Sequence, residues 1–225
     1  MPEIPSNSLT AMGAVFGLLV LATASRLILA ARNFDKDYTE LRQRVQSWWW
    51  IVGSIFVVLT VSRVAAITFF GFLSFMALKE FLSIVPTRHA DRRVIFWAYL
   101  AIPMQYYWVY IGWYGMFIVF VPVYLFLFLP MRMVLIGETV GFIKSVALLH
   151  WAVMLTVFCL SHVAYLLTLE PLNADAGSIG LVLFLLFSTQ FNDICQYIWA
   201  RCLADTRSFP ESVPTRRGRG SLEAL

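Results

Sequence analysis

The chain has 225 residues, of which 60% are A, V, I, L, M, F, W, Y or C and only 13% are charged, about half of the usual quarter. A soluble domain of this length cannot hide so much apolar surface in one core, so the composition excludes disorder, a disulfide scaffold and an ordinary soluble α/β enzyme. The net charge of +4 is spread between apolar runs, as in the loops of a multi-span membrane protein, and indicates no nucleic-acid partner.

The expected fold class is therefore all-α, a polytopic membrane protein of about seven helices. The candidate spans are roughly 9–31, 48–62, 64–82, 94–112, 115–131, 146–169 and 178–198. No basic segment precedes the first, because residues 1–8 hold no Lys or Arg, and no cleaved secretory signal is expected. Arg26 near the end of that span is expected to snorkel. The 48–62 span is short, and only Arg63 separates it from the next. The stretch 94–131 has no Asp, Glu, Lys or Arg. It is too long for one helix of ~20 residues, and the Gly112–Gly115 region is where it divides. Pro103 and Pro122 are expected to kink their helices.

Lys and Arg number 0, 4, 1, 4, 0, 2, 0 and 5 in the successive connections and termini, from residues 1–8 to the tail after residue 198. The series alternates at every step, which an even number of spans would break. Under the positive-inside rule it puts the N-terminus outside and the C-terminus in the cytoplasm.

Most polar residues in the spans have structural readings. His150 and His162 lie about 120° apart on one helix, so helix-packing hydrogen bonds are expected instead of a shared metal site. The Trp48–Trp50 run and Tyr106, Tyr107 and Trp108 read as interfacial belts. The Lys79–Glu80 pair reads as a membrane-surface ion pair. Cys159, Cys195 and Cys202 read as free thiols.

The last span differs. After an apolar start it runs Ser188-Thr189-Gln190-Phe191-Asn192-Asp193-Ile194-Cys195-Gln196-Tyr197. On a helix Thr189, Asp193, Gln196 and Tyr197 share one face. A carboxylate at the end of a membrane helix is costly unless it is paired or binds a cation, and hard oxygen ligands of this kind suit Mg²⁺ shared with substrate phosphates. A capped helix end at the water boundary fits the same residues.

Phe191-Asn192-Asp193-Ile194-Cys195-Gln196-Tyr197-Ile198-Trp199 resembles the N-D-x-x-Q-Y-x-W-G-[KR] motif of bacterial phosphatidate cytidylyltransferases (CDP-diacylglycerol synthases). Upstream, Phe72 to Phe81 contains Ser74-Phe75-Met76-Ala77-Leu78-Lys79-Glu80, which resembles that family's S-x-x-A-L-K-E segment. The resemblance covers the family's N-terminal two-thirds, so residues 1–199 are expected to form a transmembrane domain and 200–225 a basic, disordered tail. It implies transfer of CMP from CTP to phosphatidate, giving CDP-diacylglycerol and pyrophosphate. It further implies Asp193 as catalytic and metal-site carboxylate, Asn192, Gln196 and Lys79 as substrate-binding residues, and Mg²⁺ as cofactor. The implied partners are CTP, phosphatidate and the lipid bilayer of a bacterial inner membrane, with a homodimer left open.

After Trp199 the resemblance stops in the given frame. Val213 to Ala224 can, however, be encoded so that the same bases, shifted by one, read S-P-N-K-T-W-E-G-F-L-G-G, which is similar to the next family motif. The expectation is a reading frame that slipped by one G near Trp199, and a 225-residue chain inactive alone because the family's later H-G-G-x-x-D-R-x-D element is missing. The alternatives are a small transporter and a non-catalytic membrane scaffold or regulatory partner. A transporter is disfavoured because spans four and five carry no charged residue.

Overall fold

The computed structural model describes residues 5–32, 39–85, 92–137, 140–170 and 175–206. Seven helical stretches follow one another: α1 (Ser6–Arg32), α2 (Thr39–Val61), α3 (Arg63–Ile84), α4 (Arg92–Ile111), α5 (Tyr114–Val134), α6 (Phe142–Thr168) and α7 (Gly177–Thr206). Among the described residues there is no strand. The chain divides into two compact units, Met1–Leu185 and Leu186–Leu225. The helix α7 therefore begins in the first unit and supplies the described part of the second.

Six of the helices are long and apolar enough to cross a membrane, and the protein is an all-α, polytopic membrane protein. The exception is α2, whose apolar part is the shorter Val45–Val61. Its first turns carry Glu40, Arg42, Gln43 and Arg44, which leaves a stretch at the lower limit of what spans ~30 Å of hydrocarbon.

The junctions follow from particular residues. Ser62 breaks the helix between α2 and α3 in extended conformation, and its side chain accepts from Ala65 N at 3.0 Å. That is an N-cap, which saturates a donor that the first turn of α3 would otherwise leave bare. Gly112 ends α4 with φ of 71°, a left-handed conformation that glycine adopts without a Cβ clash. The uncharged 94–131 run thus divides at Gly112, as expected from the sequence.

Pro122 sits in a wider π turn, Phe120–Leu125, within α5. A proline removes one helical donor, and an extra residue per turn is one way a helix absorbs the loss. A second π turn, Met154–Cys159, lies in α6 and packs near the first. Pro103 lies inside α4.

The core of the first unit forms where α3, α4, α5 and α6 pack together. Ala66, Ile67, Phe70, Ser74 and Leu78 are the buried stripe of α3, at the spacing of one helical face. Helices α1 and α2 pack as a hairpin through Met12, Leu19, Val52 and Phe56. The start of α1 meets the start of α7: Asn7 N donates to Asp175 O at 3.1 Å, and the Ser8 hydroxyl bonds Ala176 O. Helix ends meet here as an antiparallel, up-and-down chain requires.

Two aromatic runs read as belts are only partly so. Trp48 and Trp50 are exposed, but Trp49 turns inward and its Nε1 donates to Thr23 Oγ1 at 3.1 Å. Tyr106 is buried and belongs to the core, whereas Tyr107 is exposed. Neighbours on a helix point ~100° apart, so a run of three aromatics cannot face one medium. The side chains of Arg26 and Cys202 lie outside the described residues, while Cys159 and Cys195 are free thiols.

Candidate active site

The polar segment of the last span lies within the continuous helix α7. Successive steps of ~100° put Asn192, Gln196, Thr189 and Asp193 within an arc of about 100°. On the other side Phe187, Phe191 and Ile194 form an apolar stripe, and Phe187 stacks on Phe191 with centroids 6.0 Å apart. Asn192, Asp193 and Gln196 are all exposed, and Cys195 is half-buried. Thr189 is exposed, with its hydroxyl donating to Leu186 O at 2.9 Å. The expected one-face grouping therefore holds for Thr189, Asp193 and Gln196. The side chain of Tyr197 lies outside the described residues. Helix α7 continues through residue 206, so residues 200–206 extend the helix. Residues 207–225 lie outside the described residues.

Lys79 belongs to the first unit, near the end of α3. It is exposed, as is Glu80. Adjacent helix positions do not face each other, so Lys79 and Glu80 present separate charges. The rest of the S-x-x-A-L-K-E segment is structural. Ser74 and Leu78 are fully buried. The Ser74 hydroxyl lies 2.7 Å from Tyr106 Oη, which in turn donates to Phe70 O at 2.9 Å. This segment thus locks α3 to α4 with its buried face and presents Lys79 on the other.

A second polar group escaped the sequence reading. Gln105 is fully buried on α4. Its Nε2 donates to Phe117 O at 3.1 Å and to Ser161 Oγ at 3.2 Å, tying α4 to α5 and α6. Its signal was a lone amide in an otherwise apolar run. A buried amide in hydrocarbon has to be hydrogen-bonded inside the protein.

His150 makes the expected hydrogen bond between helices, whereas His162 bonds within its own helix and meets α5 only through its ring, 4.8 Å from that of Phe117. His150 Nε2 lies 3.0 Å from Phe126 O on the neighbouring helix, and His162 Nδ1 lies 2.8 Å from Phe158 O of its own helix. Among the described residues no three His, Cys, Asp or Glu side chains come together as a metal cage. The exposed oxygen donors of Asp193, Asn192 and Gln196 fit a different arrangement. Mg²⁺ keeps most of its waters and takes one or two carboxylates together with substrate phosphates.

The sequence matches the cytidylyltransferase family over residues 42–225. The chain belongs to this family. It is also 35% identical over 211 residues to the uncharacterized protein YnbB of Escherichia coli (strain K12), covering 94% of this chain and 69% of YnbB. No solved structure matches it. Membership in the cytidylyltransferase family supports a CTP-using nucleotidyl transfer, carried out by a protein whose helices place it in a lipid environment. The family match includes the basic tail in the frame given.

Proposed function

We propose that this cytidylyltransferase acts on phosphatidate, making CDP-diacylglycerol and pyrophosphate from phosphatidate and CTP for phospholipid synthesis. The observation that carries the reading is the Asn192, Asp193 and Gln196 group, exposed on one helix that is apolar along its opposite side. A substrate with a water-soluble triphosphate and lipid tails needs a site of that divided character.

In the reaction a phosphate oxygen of phosphatidate attacks the α-phosphorus of CTP. The bond to the β-phosphate breaks, and pyrophosphate leaves. Charge crowds between two phosphates, so the requirement is positioning and charge compensation. Asp193 would hold Mg²⁺, which when bound offsets that charge. The Asn192 and Gln196 amides donate hydrogen bonds to CTP oxygens. By the family resemblance Lys79, on α3, is a candidate for binding a lipid headgroup phosphate as a point charge. The positive-inside count supports a cytoplasmic position for α7's C-terminal end and an inner-membrane location.

The test is synthesis of labelled CDP-diacylglycerol from CTP by membranes carrying the protein. Phosphatidate-dependent label is the expected result. No such label would leave a non-catalytic membrane scaffold as the better reading.

A further inference from the structure

Gln105 and Trp108 pose a paired problem. Gln105 has 0% exposure. Its amide orientation is fixed, because Nε2 faces Phe117 O, and a carbonyl can only accept. Ser161 confirms the orientation: its hydroxyl donates to Phe158 O at 2.7 Å, which leaves its lone pairs to accept from Gln105. Among the described residues Gln105 Oε1 is then a buried acceptor without a donor, and Trp108 Nε1 is a buried donor without an acceptor. Backbone and side-chain polar groups at this depth find no help from hydrocarbon.

The two residues are three apart on α4, so they are neighbours on its surface, with Cβ atoms ~5–6 Å apart. Two hydrogen bonds of about 2.9 Å meeting at one oxygen span up to about 5.5 Å. A single molecule that accepts from an N–H and donates to a carbonyl resolves both groups. Both atoms are shut off from the surroundings, and the Trp108 ring is walled by Trp113 and Phe120, with centroids 5.5 Å and 6.5 Å away. Only a very small hydroxylic molecule suits that setting.

We propose that Gln105 Oε1 and Trp108 Nε1 together form a binding site for one ordered water inside the membrane bundle. The water accepts from the indole N–H and donates to the amide oxygen. Through Gln105 Nε2 it extends a polar chain to Phe117 O on α5 and Ser161 on α6. The site is independent of the α7 residues assigned to CTP.

The test is NMR of the full chain in lipid nanodiscs, with ¹⁵N at tryptophan only. Trp108→Phe identifies the Trp108 indole signal by its loss. The expected result is a cross-peak from this N–H to a long-lived water, and its disappearance in Gln105→Leu. A Trp108 N–H with no water cross-peak, or with one to lipid protons instead, would overturn the site. A water cross-peak of unchanged strength in folded Gln105→Leu would overturn the bridge. Should Gln105→Leu fail to fold, the wild-type spectrum decides, since the cross-peak is either present or absent.

Discussion

His150 Nε2 lies 3.0 Å from Phe126 O, the oxygen four residues before Pro130. An α-helix gives that oxygen to the N–H of residue i+4, and proline has none. The Nε2–H tautomer of His150 in α6 supplies the donor that α5 lacks, and the ring also packs against Phe126 with centroids 4.4 Å apart.

Replacing His150 with Leu leaves Phe126 O without that donor. The expected loss is about 1–3 kcal/mol of stability, the cost of one carbonyl left unsatisfied where hydrocarbon offers no donor. The Pro130→Ala change restores a backbone N–H in the same turn. The double variant should recover part of the loss, and unfolding of each variant in mixed micelles measures the coupling.

This relationship marks the limit of what was legible in the sequence. The spans were legible because hydrocarbon thickness fixes their length, and the Gly112 division because a left-handed turn needs glycine. The structural use of His150 was legible in kind, since its spacing from His162 argued against a shared metal. Its partner was not, because nothing in the sequence says which carbonyl of which helix faces it. Tyr106 and Gln105 were misjudged or passed over for the same reason. Membrane-helix sequences are apolar all round, so the buried face is set by packing and not by a pattern of polarity. At the candidate site, the shared face of Asp193 and Gln196 followed from helical spacing alone.

The Ser74–Tyr106 bond yields a second prediction. Tyr106→Phe removes the hydroxyl that serves both Ser74 and Phe70 O. The expected destabilisation is ~1–2 kcal/mol. Ser74→Ala added to it should cost less than the sum of the two single changes, because the partners of one bond are removed together. Thermal unfolding of the four proteins checks this.

Two glycines with left-handed backbones separate strain from collision. Gly112 has φ of 71° with open space around an added Cβ. Gly177 has φ of 60°, and an added Cβ would fall 2.5 Å from Pro5 Cγ. Gly112→Ala should cost about 1–2 kcal/mol from the backbone alone. Gly177→Ala should cost more and should loosen the junction of the α1 and α7 starts. Protease sensitivity near residue 175 and thermal stability together distinguish the two.

The topology also makes a direct prediction. A fluorescent reporter that matures only in the cytoplasm should be bright when fused after residue 206 and dark when fused at the N-terminus. The reverse pattern would contradict the orientation drawn from the Lys and Arg count.

Asp193 is the residue on which the proposed function turns. The most direct measurement is incorporation of label from CTP into CDP-diacylglycerol by membranes carrying the protein, with and without Asp193→Asn. The change keeps size and shape but removes the charge, so at least a 100-fold loss of rate is expected, of the order seen when one charge-stabilising group is removed. Expression and membrane insertion should be unchanged. Full activity in Asp193→Asn would contradict the assignment of this carboxylate, and absence of phosphatidate-dependent label with the unsubstituted protein would contradict the proposed reaction.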